Sequence, residues 1–227
     1  MPSLAADRIR QPSALNALAL PRFAGPRRAE PRVIALEGPN GAGKSTLCRR
    51  LSQALGAPRC LGTDAAWFSP TFKTRMIRDA EWPASVMFFL SGCLEQMRLL
   101  RQRDEPLIIM DRSLWSTLAV QASLDPARLR VLLAMLRPIA PQIHVPALTL
   151  VLEASFAVCQ GRIARKTGAA RALDALTAQA AFHAREQEFY RWLGRQRPGV
   201  VFLNVDNLAP AEVCARAAAL VRAKARC

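Results

Sequence analysis

Apolar residues follow two rhythms along this chain. Short runs of consecutive apolar positions occur at Val33-Ile34-Ala35-Leu36, Leu107-Ile108-Ile109-Met110, Leu148-Thr149-Leu150-Val151-Leu152 and Val200-Val201-Phe202-Leu203. Between them, apolar residues return every three or four positions. Unbroken runs of this length suit strands buried on both faces, and the longer rhythm suits amphipathic helices. Helices are expected over 44–55, 83–101, 113–122, 127–136, 156–166, 174–193 and 211–224, with a weaker strand at Cys60-Leu61-Gly62. In the helix over 83–101, Val86, Phe89, Leu90, Cys93, Leu94, Met97 and Leu100 form one stripe. Strand and helix alternate without an internal repeat. The pattern predicts an α/β fold, a three-layer α/β/α domain around a five-stranded parallel sheet, with its site at the carboxyl ends of the strands.

Residues 1–31 do not share these rhythms. They carry Arg8, Arg10, Arg22, Arg27 and Arg28 against Asp7 and Glu30, and are punctuated by Pro2, Pro12, Pro21, Pro26 and Pro31. This basic extension reads as a flexible or surface-wrapping arm outside the core, and 32–227 as the domain. A chain of 227 residues, 51% hydrophobic, can bury one full core and excludes a large multidomain machine.

The formal charge of +15 admits polyanionic partners such as nucleic acid, an acidic membrane or free nucleotide. Of the 32 basic residues only Lys44, Lys73, Lys166 and Lys224 are lysines, so the charge is a chain-wide arginine bias rather than a basic patch. The six cysteines stand singly, with no CxxC pair and no histidine at metal-ligand spacing. This disfavours a disulfide framework and a zinc site and points to a reducing, cytoplasmic setting. No apolar run is long enough to span a bilayer, so no membrane partner is expected.

The chemistry concentrates where the first strand ends. Gly38-Pro39-Asn40-Gly41-Ala42-Gly43-Lys44-Ser45 fits G-x-x-x-x-G-K-[ST] without a mismatch, directly after a strand and at the opening of a helix. Such a loop wraps phosphate in backbone N–H groups and adds the helix N-terminus. Gly38, Asn40, Gly41, Ala42, Gly43, Lys44, Ser45 and Thr46 are therefore candidate ATP contacts, with Lys44 at the β- and γ-phosphates and Ser45 on Mg²⁺. The strand 107–110 runs into Asp111, a second candidate Mg²⁺ ligand, and then Arg112. Hydrolytic transport and repair ATPases place Glu after that Asp to polarise water. An arginine offers a bidentate donor to phosphate or to transition-state charge.

On these residues the chain resembles the thymidylate kinase and deoxynucleoside kinase branch of P-loop kinases, from about Val33 onward. Leu36-Glu37-Gly38 is similar to that branch's first strand ending. Asp111-Arg112-Ser113-Leu114-Trp115-Ser116-Thr117-Leu118-Ala119-Val120-Gln121 is similar to the thymidylate kinase D-R-Y-x-x-S-x-x-A-Y-Q. Asp111-Arg112-Ser113 also resembles the deoxynucleoside kinase E-R-S, and residues 153–166 and 182–190 are like the segments either side of its lid.

The resemblance implies an ATP-dependent kinase for a nucleoside or nucleoside monophosphate, and a homodimer. It implies that Arg112 contacts acceptor and transferring phosphoryl group, and that Ser116 lines the base pocket. It also implies an Arg-rich lid at about 162–174, where Arg162, Arg165, Lys166 and Arg171 clamp donor phosphates. Asp64, with Trp67 behind it, stands near the position of the deoxynucleoside kinase Glu and Trp and is the candidate base. Phe88, off the apolar stripe, is a candidate to stack on the acceptor's ring. Two departures concern the acceptor: Gly92 replaces the thymidylate kinase arginine, and Phe89 the deoxynucleoside kinase glutamine. Two other readings stay open: a P-loop ATPase of ABC-like or other hydrolytic type, since Leu90-Ser91-Gly92-Cys93 is like the start of an ABC signature, and a polynucleotide-end kinase, with nucleic acid the less favoured partner.

Overall fold

In the computed structural model, which describes residues 14–25, 30, 32–61, 69–165 and 178–225, five parallel strands form one sheet. They are β1 (Arg32–Glu37), β2 (Arg59–Leu61), β3 (Leu107–Asp111), β4 (Leu148–Glu153) and β5 (Val200–Asn204), in the order β2-β3-β1-β4-β5. The helices are α1 (Lys44–Leu55), α2 (Pro70–Arg78), α3 (Trp82–Leu100), α4 (Leu114–Leu124), α5 (Pro126–Leu136), α6 (Phe156–Ala164), α7 (Ala180–Gln196) and α8 (Pro210–Ala225). The chain changes direction across the sheet at β1, and the β1–β3 register sets Leu36 opposite Asp111. The phosphate-binding loop and Arg112 therefore leave neighbouring strands side by side, at the crevice where a doubly wound sheet binds ligands.

Alternation along the strands sorts the core into two sides. Ile34, Leu36, Ile109, Leu148, Leu150 and Leu152 pack with Leu47 and Leu51 of α1 and with Val213, Ala217 and Val221 of α8. Val33, Ile108 and Met110 point the other way onto Met97 and Leu100 of α3. Val151 and Val200 meet the larger cluster of α3, α4, α5 and α7, including Trp115, Leu129, Phe189 and Trp192. Each fully buried side chain of this size contributes about 1.5–3 kcal/mol. No helix among the described residues is long and apolar enough to cross a membrane, and Cys48, Cys60, Cys93, Cys159 and Cys214 are all thiols.

Two expectations are corrected. The segment 1–31 is not wholly outside the core: Leu15 and Phe23 are 5% and 6% exposed and belong to the large cluster, because Trp115 and α7 leave an apolar surface that they cover. On α3, Phe88 is buried and Phe89 only half-buried. The reason is α2, which the apolar rhythm did not reveal: its Phe72 ring packs edge-on against Phe88 at 5.5 Å, and Phe89 also meets the Phe88 ring edge-on, at 5.0 Å. Of the segment expected as the lid, Arg162 to Ala164 complete the last turn of α6, within the helix expected over 156–166. Residues 166–177 lie outside the described part.

Candidate phosphotransfer site

The loop between β1 and α1 needs glycine at two close approaches. Gly38 has φ +121° and Gly41 φ +86°; a Cβ on either would stand 2.4 Å from Leu152 O or 2.5 Å from Cys159 O, backbone atoms that cannot yield. Lys44, the first residue of α1, is 5% exposed, and its ammonium donates to Gly38 O and Pro39 O at 2.6 Å each. Burial, and then the Arg112 guanidinium, lower its pKa to about 7 against the opposing pull of Glu186, Asp111 and Glu37. Ser45 is exposed, Thr46 half-buried, and Asp111 8% exposed at the end of β3.

Arg112 is where the chain departs from ordinary backbone. Its φ is +69°, the one left-handed non-glycine among the described residues. A side chain bears this conformation only where its surroundings enforce it. Here the backbone N–H donates to Leu36 O at 3.1 Å, Nη1 donates to Ser116 Oγ at 3.1 Å, and Nη2 donates to Asn40 Oδ1 of the phosphate loop. The left-handed turn thus aims the guanidinium across at the loop. Ser116, expected to line a base pocket, has its hydroxyl committed to Arg112 and to Glu37 Oε2.

Glu37 organises the floor of this arrangement. Fully buried, it accepts from Ser113 N and Ser113 Oγ at 2.7 Å, from Ser116 Oγ, and from the Tyr190 hydroxyl at 2.9 Å. One carboxylate therefore ties β1, the first turn of α4 and α7 together behind Arg112. Sequence reasoning singled out Glu37 only as part of the first strand's ending and missed Tyr190 and Glu186, which lie one helical turn apart on α7. Glu186 is 2% exposed, its Oε2 has no hydrogen-bond partner among the described residues, and burial raises its pKa, opposed by Lys44 and Arg112. The sign available for both was two polar residues at i, i+4 inside an otherwise apolar helix face.

A cleft of ≈ 530 Å³ opens over these groups. It is lined by residues 40–47, Arg112, Arg162 and Arg165, and at its far end by Val205, Leu208, Pro210 and Val213. Arg162 reaches back across the loop, donating to Ala42 O at 3.0 Å and to Val205 O at 3.0 Å. Arg165 folds onto its own helix, donating to Gly161 O at 3.1 Å. Phe88 is not part of this lining. His183 is buried, and its Nε2 lies 3.0 Å from Ala154 O. Asp64, Trp67, Lys166 and Arg171 lie outside the described residues.

A five-stranded parallel sheet with a glycine-rich phosphate loop on β1 and an arginine fixed at the end of β3 defines a P-loop nucleotide-binding protein of kinase-like fold. The chain belongs to the AAA domain family, whose sequence profile matches residues 33–191. No curated protein matches it in sequence. Among solved structures it is similar to thymidylate kinase from Candida albicans, at 17% identity over 88% of this chain and 94% of that one, TM-score 0.66. It is likewise similar to deoxyadenosine kinase from M. mycoides with bound dATP, at 18% identity over 84% and 99%, TM-score 0.63. At this identity the likeness establishes the fold.

Proposed function

We propose that this chain is an ATP- and Mg²⁺-dependent phosphotransferase that passes the γ-phosphoryl group to a nucleoside or nucleoside monophosphate. The observation that carries the reading is the convergence of Lys44 and Arg112 on one cleft, with Arg112 held left-handed and bonded to Asn40 of the loop. A lysine in a glycine-rich loop serves any nucleotide binder. A planar cation fixed opposite it suits a reaction in which charge moves from one phosphate oxygen to another. In this reading the loop amides and the N-terminus of α1 hold the donor phosphates. Lys44 offsets charge at the β- and γ-positions, Arg162 and Arg165 flank the triphosphate together with Lys166, and the apolar wall of Leu208, Pro210 and Val213 faces the donor base.

The exposed Ser45 hydroxyl and the Asp111 carboxylate are hard oxygen donors on adjacent elements, the type of pair that Mg²⁺ takes while phosphates and water complete its shell. When bound, the ion would neutralise charge on the donor phosphates. Asp64 remains the proposed proton acceptor and Trp67 the proposed aromatic neighbour of the acceptor, while Phe88, buried against Phe72 and Phe89, is not assigned that role. A nucleoside-type acceptor is supported by the M. mycoides enzyme of the same fold, which is known with dATP, with dCTP and with the products dCMP and a flexible dCDP. The test is ATP consumption with Mg²⁺ against a panel of nucleosides, their monophosphates and short oligonucleotides, with Lys44→Ala and Arg112→Ala as controls. Turnover with one small acceptor, lost in both variants, is the expected result. Acceptor-independent hydrolysis that survives Arg112→Ala would remove the kinase reading and leave a hydrolytic ATPase, and turnover with oligonucleotides alone would make it a polynucleotide-end kinase.

A further inference from the structure

Residues 14–25 are fastened to the two helices that stand behind Arg112. The short 3-10 turn Ala14–Ala17 buries Leu15, and Arg195 of α7 donates to Asn16 Oδ1 at 2.9 Å. Phe23 meets the Trp115 ring edge-on at 5.5 Å, and the Arg197 guanidinium, just past α7, lies 5.6 Å from the centre of the same ring. Ala24 then pairs with the segment before β4: its N–H donates to Ile143 O at 2.9 Å, and Val145 N–H donates to Ala24 O at 3.2 Å. The segment is tied down towards both ends, with Leu15, Pro21 and Phe23 buried and Leu18 and Leu20 half-buried between them.

Its position matters because of what Trp115 carries. Trp115 is 1% exposed and lies three residues after Arg112, in the first turn of α4. Its backbone N–H donates to Ser113 Oγ at 3.3 Å, and Ser113 in turn donates twice to Glu37. That turn is therefore gripped from inside by Glu37 and from outside by Phe23. Arg112 keeps its left-handed backbone at the junction, a conformation that persists only when its neighbours over-determine it.

We propose that residues 14–25 form a positioning strap for the reaction centre, in which Phe23, acting through Trp115, holds the first turn of α4 and so keeps Arg112 aimed at Asn40 and the phosphate loop. Phe23 touches no reacting group; it is a positioning residue. The activity part of the test rests on the phosphotransferase reading above. The strap itself is read separately, without acceptor, by hydrogen exchange of the backbone amides of residues 114–117. Phe23→Ala should lower kcat about tenfold, the scale that a small misplacement of a distant group produces. KM for ATP should stay within about twofold, because the loop and Arg162 are held from α1, α6 and β5. The same variant should exchange the α4 first-turn amides about tenfold faster while those of β3 are unchanged, and Phe23→Leu, which refills the space, should recover most of both effects.

Assays run well below the melting temperature of each variant, so that lost stability alone does not lower kcat. Wild-type kcat in folded Phe23→Ala overturns the proposal, whatever the exchange shows, and so do unchanged first-turn amides. If Phe23→Ala does not fold, Phe23→Val, which leaves part of the space empty, decides in its place: a smaller loss of kcat with faster exchange at the same amides supports the strap, and wild-type values in both overturn it. If the wild type transfers no phosphoryl group to any acceptor, the proposed function falls while the exchange experiment still decides the strap.

Discussion

Glu37→Gln exchanges one oxygen for an NH₂ group in a carboxylate that water does not reach and on which four donors converge. A glutamine oxygen placed at Oε1 keeps both bonds from Ser113. Its amide then faces two hydroxyls, those of Ser116 and Tyr190, that donate in the wild type and have to turn round to accept. Ser116 Oγ, which also accepts from Arg112 Nη1, would then accept twice, and its own proton and that of Tyr190 would lose the carboxylate that accepts them. Hydrogen bonds to a charged acceptor contribute about 1.5–3 kcal/mol and neutral ones about 0.5–1.5. Weakening the Ser113 pair and disturbing the Oε2 pair sums to about 4 kcal/mol. Relief from burying a charge offsets part of this, although Lys44 and Arg112 lose a nearby counter-charge. A net loss of about 3 kcal/mol follows. With a urea slope of about 3 kcal/mol/M, the unfolding midpoint should fall by about 1 M at unchanged slope. Because Ser113 and Ser116 flank Arg112, kcat should fall about a hundredfold in the folded variant. A midpoint within about 0.2 M of wild type, or full activity, would refute the reasoning that this carboxylate holds the site together.

Four further outcomes follow from the geometry. Lys44 has a folded pKa of about 7, below its unfolded value of 10.5, so the unfolded chain holds a proton that the folded one releases between those values. The corresponding stability is full above the unfolded pKa and is lost as pH falls through about 7, so urea melts should find Lys44→Met more stable than wild type near pH 6 and the difference gone near pH 10. Arg112→Gly and Arg112→Ala should both abolish transfer, but the glycine variant should be about 1 kcal/mol the more stable in paired melts, since only alanine retains the strain of φ +69°. Gly41→Ala should lower the melting temperature by about 5 °C or more and prevent ATP binding by calorimetry, the methyl group meeting Cys159 O. Arg162→Lys, which keeps charge but not the fork that spans Ala42 O and Val205 O, should raise KM for ATP about tenfold with a smaller change in kcat.

The sheet was legible because its strands are buried on both faces and therefore read as unbroken apolar runs. The observed β1, β3, β4 and β5 differ from the expected runs by a residue or two at their ends. The phosphate loop was legible because its chemistry demands fixed residue types at fixed spacing. What escaped depends on tertiary contact. α2 is short and weakly apolar, and its only announcement was Ser69 as N-cap followed by Pro70, a signal at the start of the helix rather than along it. Leu15 and Phe23 sit among prolines and arginines with no periodicity, and the surfaces that receive them, α7 and the edge of the buried Trp115 ring, lie about a hundred or more positions further along the chain. The left-handed Arg112 has no sequence signature, since arginine gives no hint of positive φ. The Glu37 network joins residues up to 153 positions apart, so its members were visible singly and their convergence was not.

The most direct test of the central claim follows the phosphoryl group itself. ATP labelled at the γ-position is incubated with the full chain, Mg²⁺ and, in turn, single nucleosides and nucleoside monophosphates, and the products are separated and identified by mass. The account predicts label in an acceptor that has gained one phosphoryl group, with one ADP formed for each, and no transfer with Arg112→Ala. Label found only in inorganic phosphate, at the same rate with and without every acceptor, would contradict it.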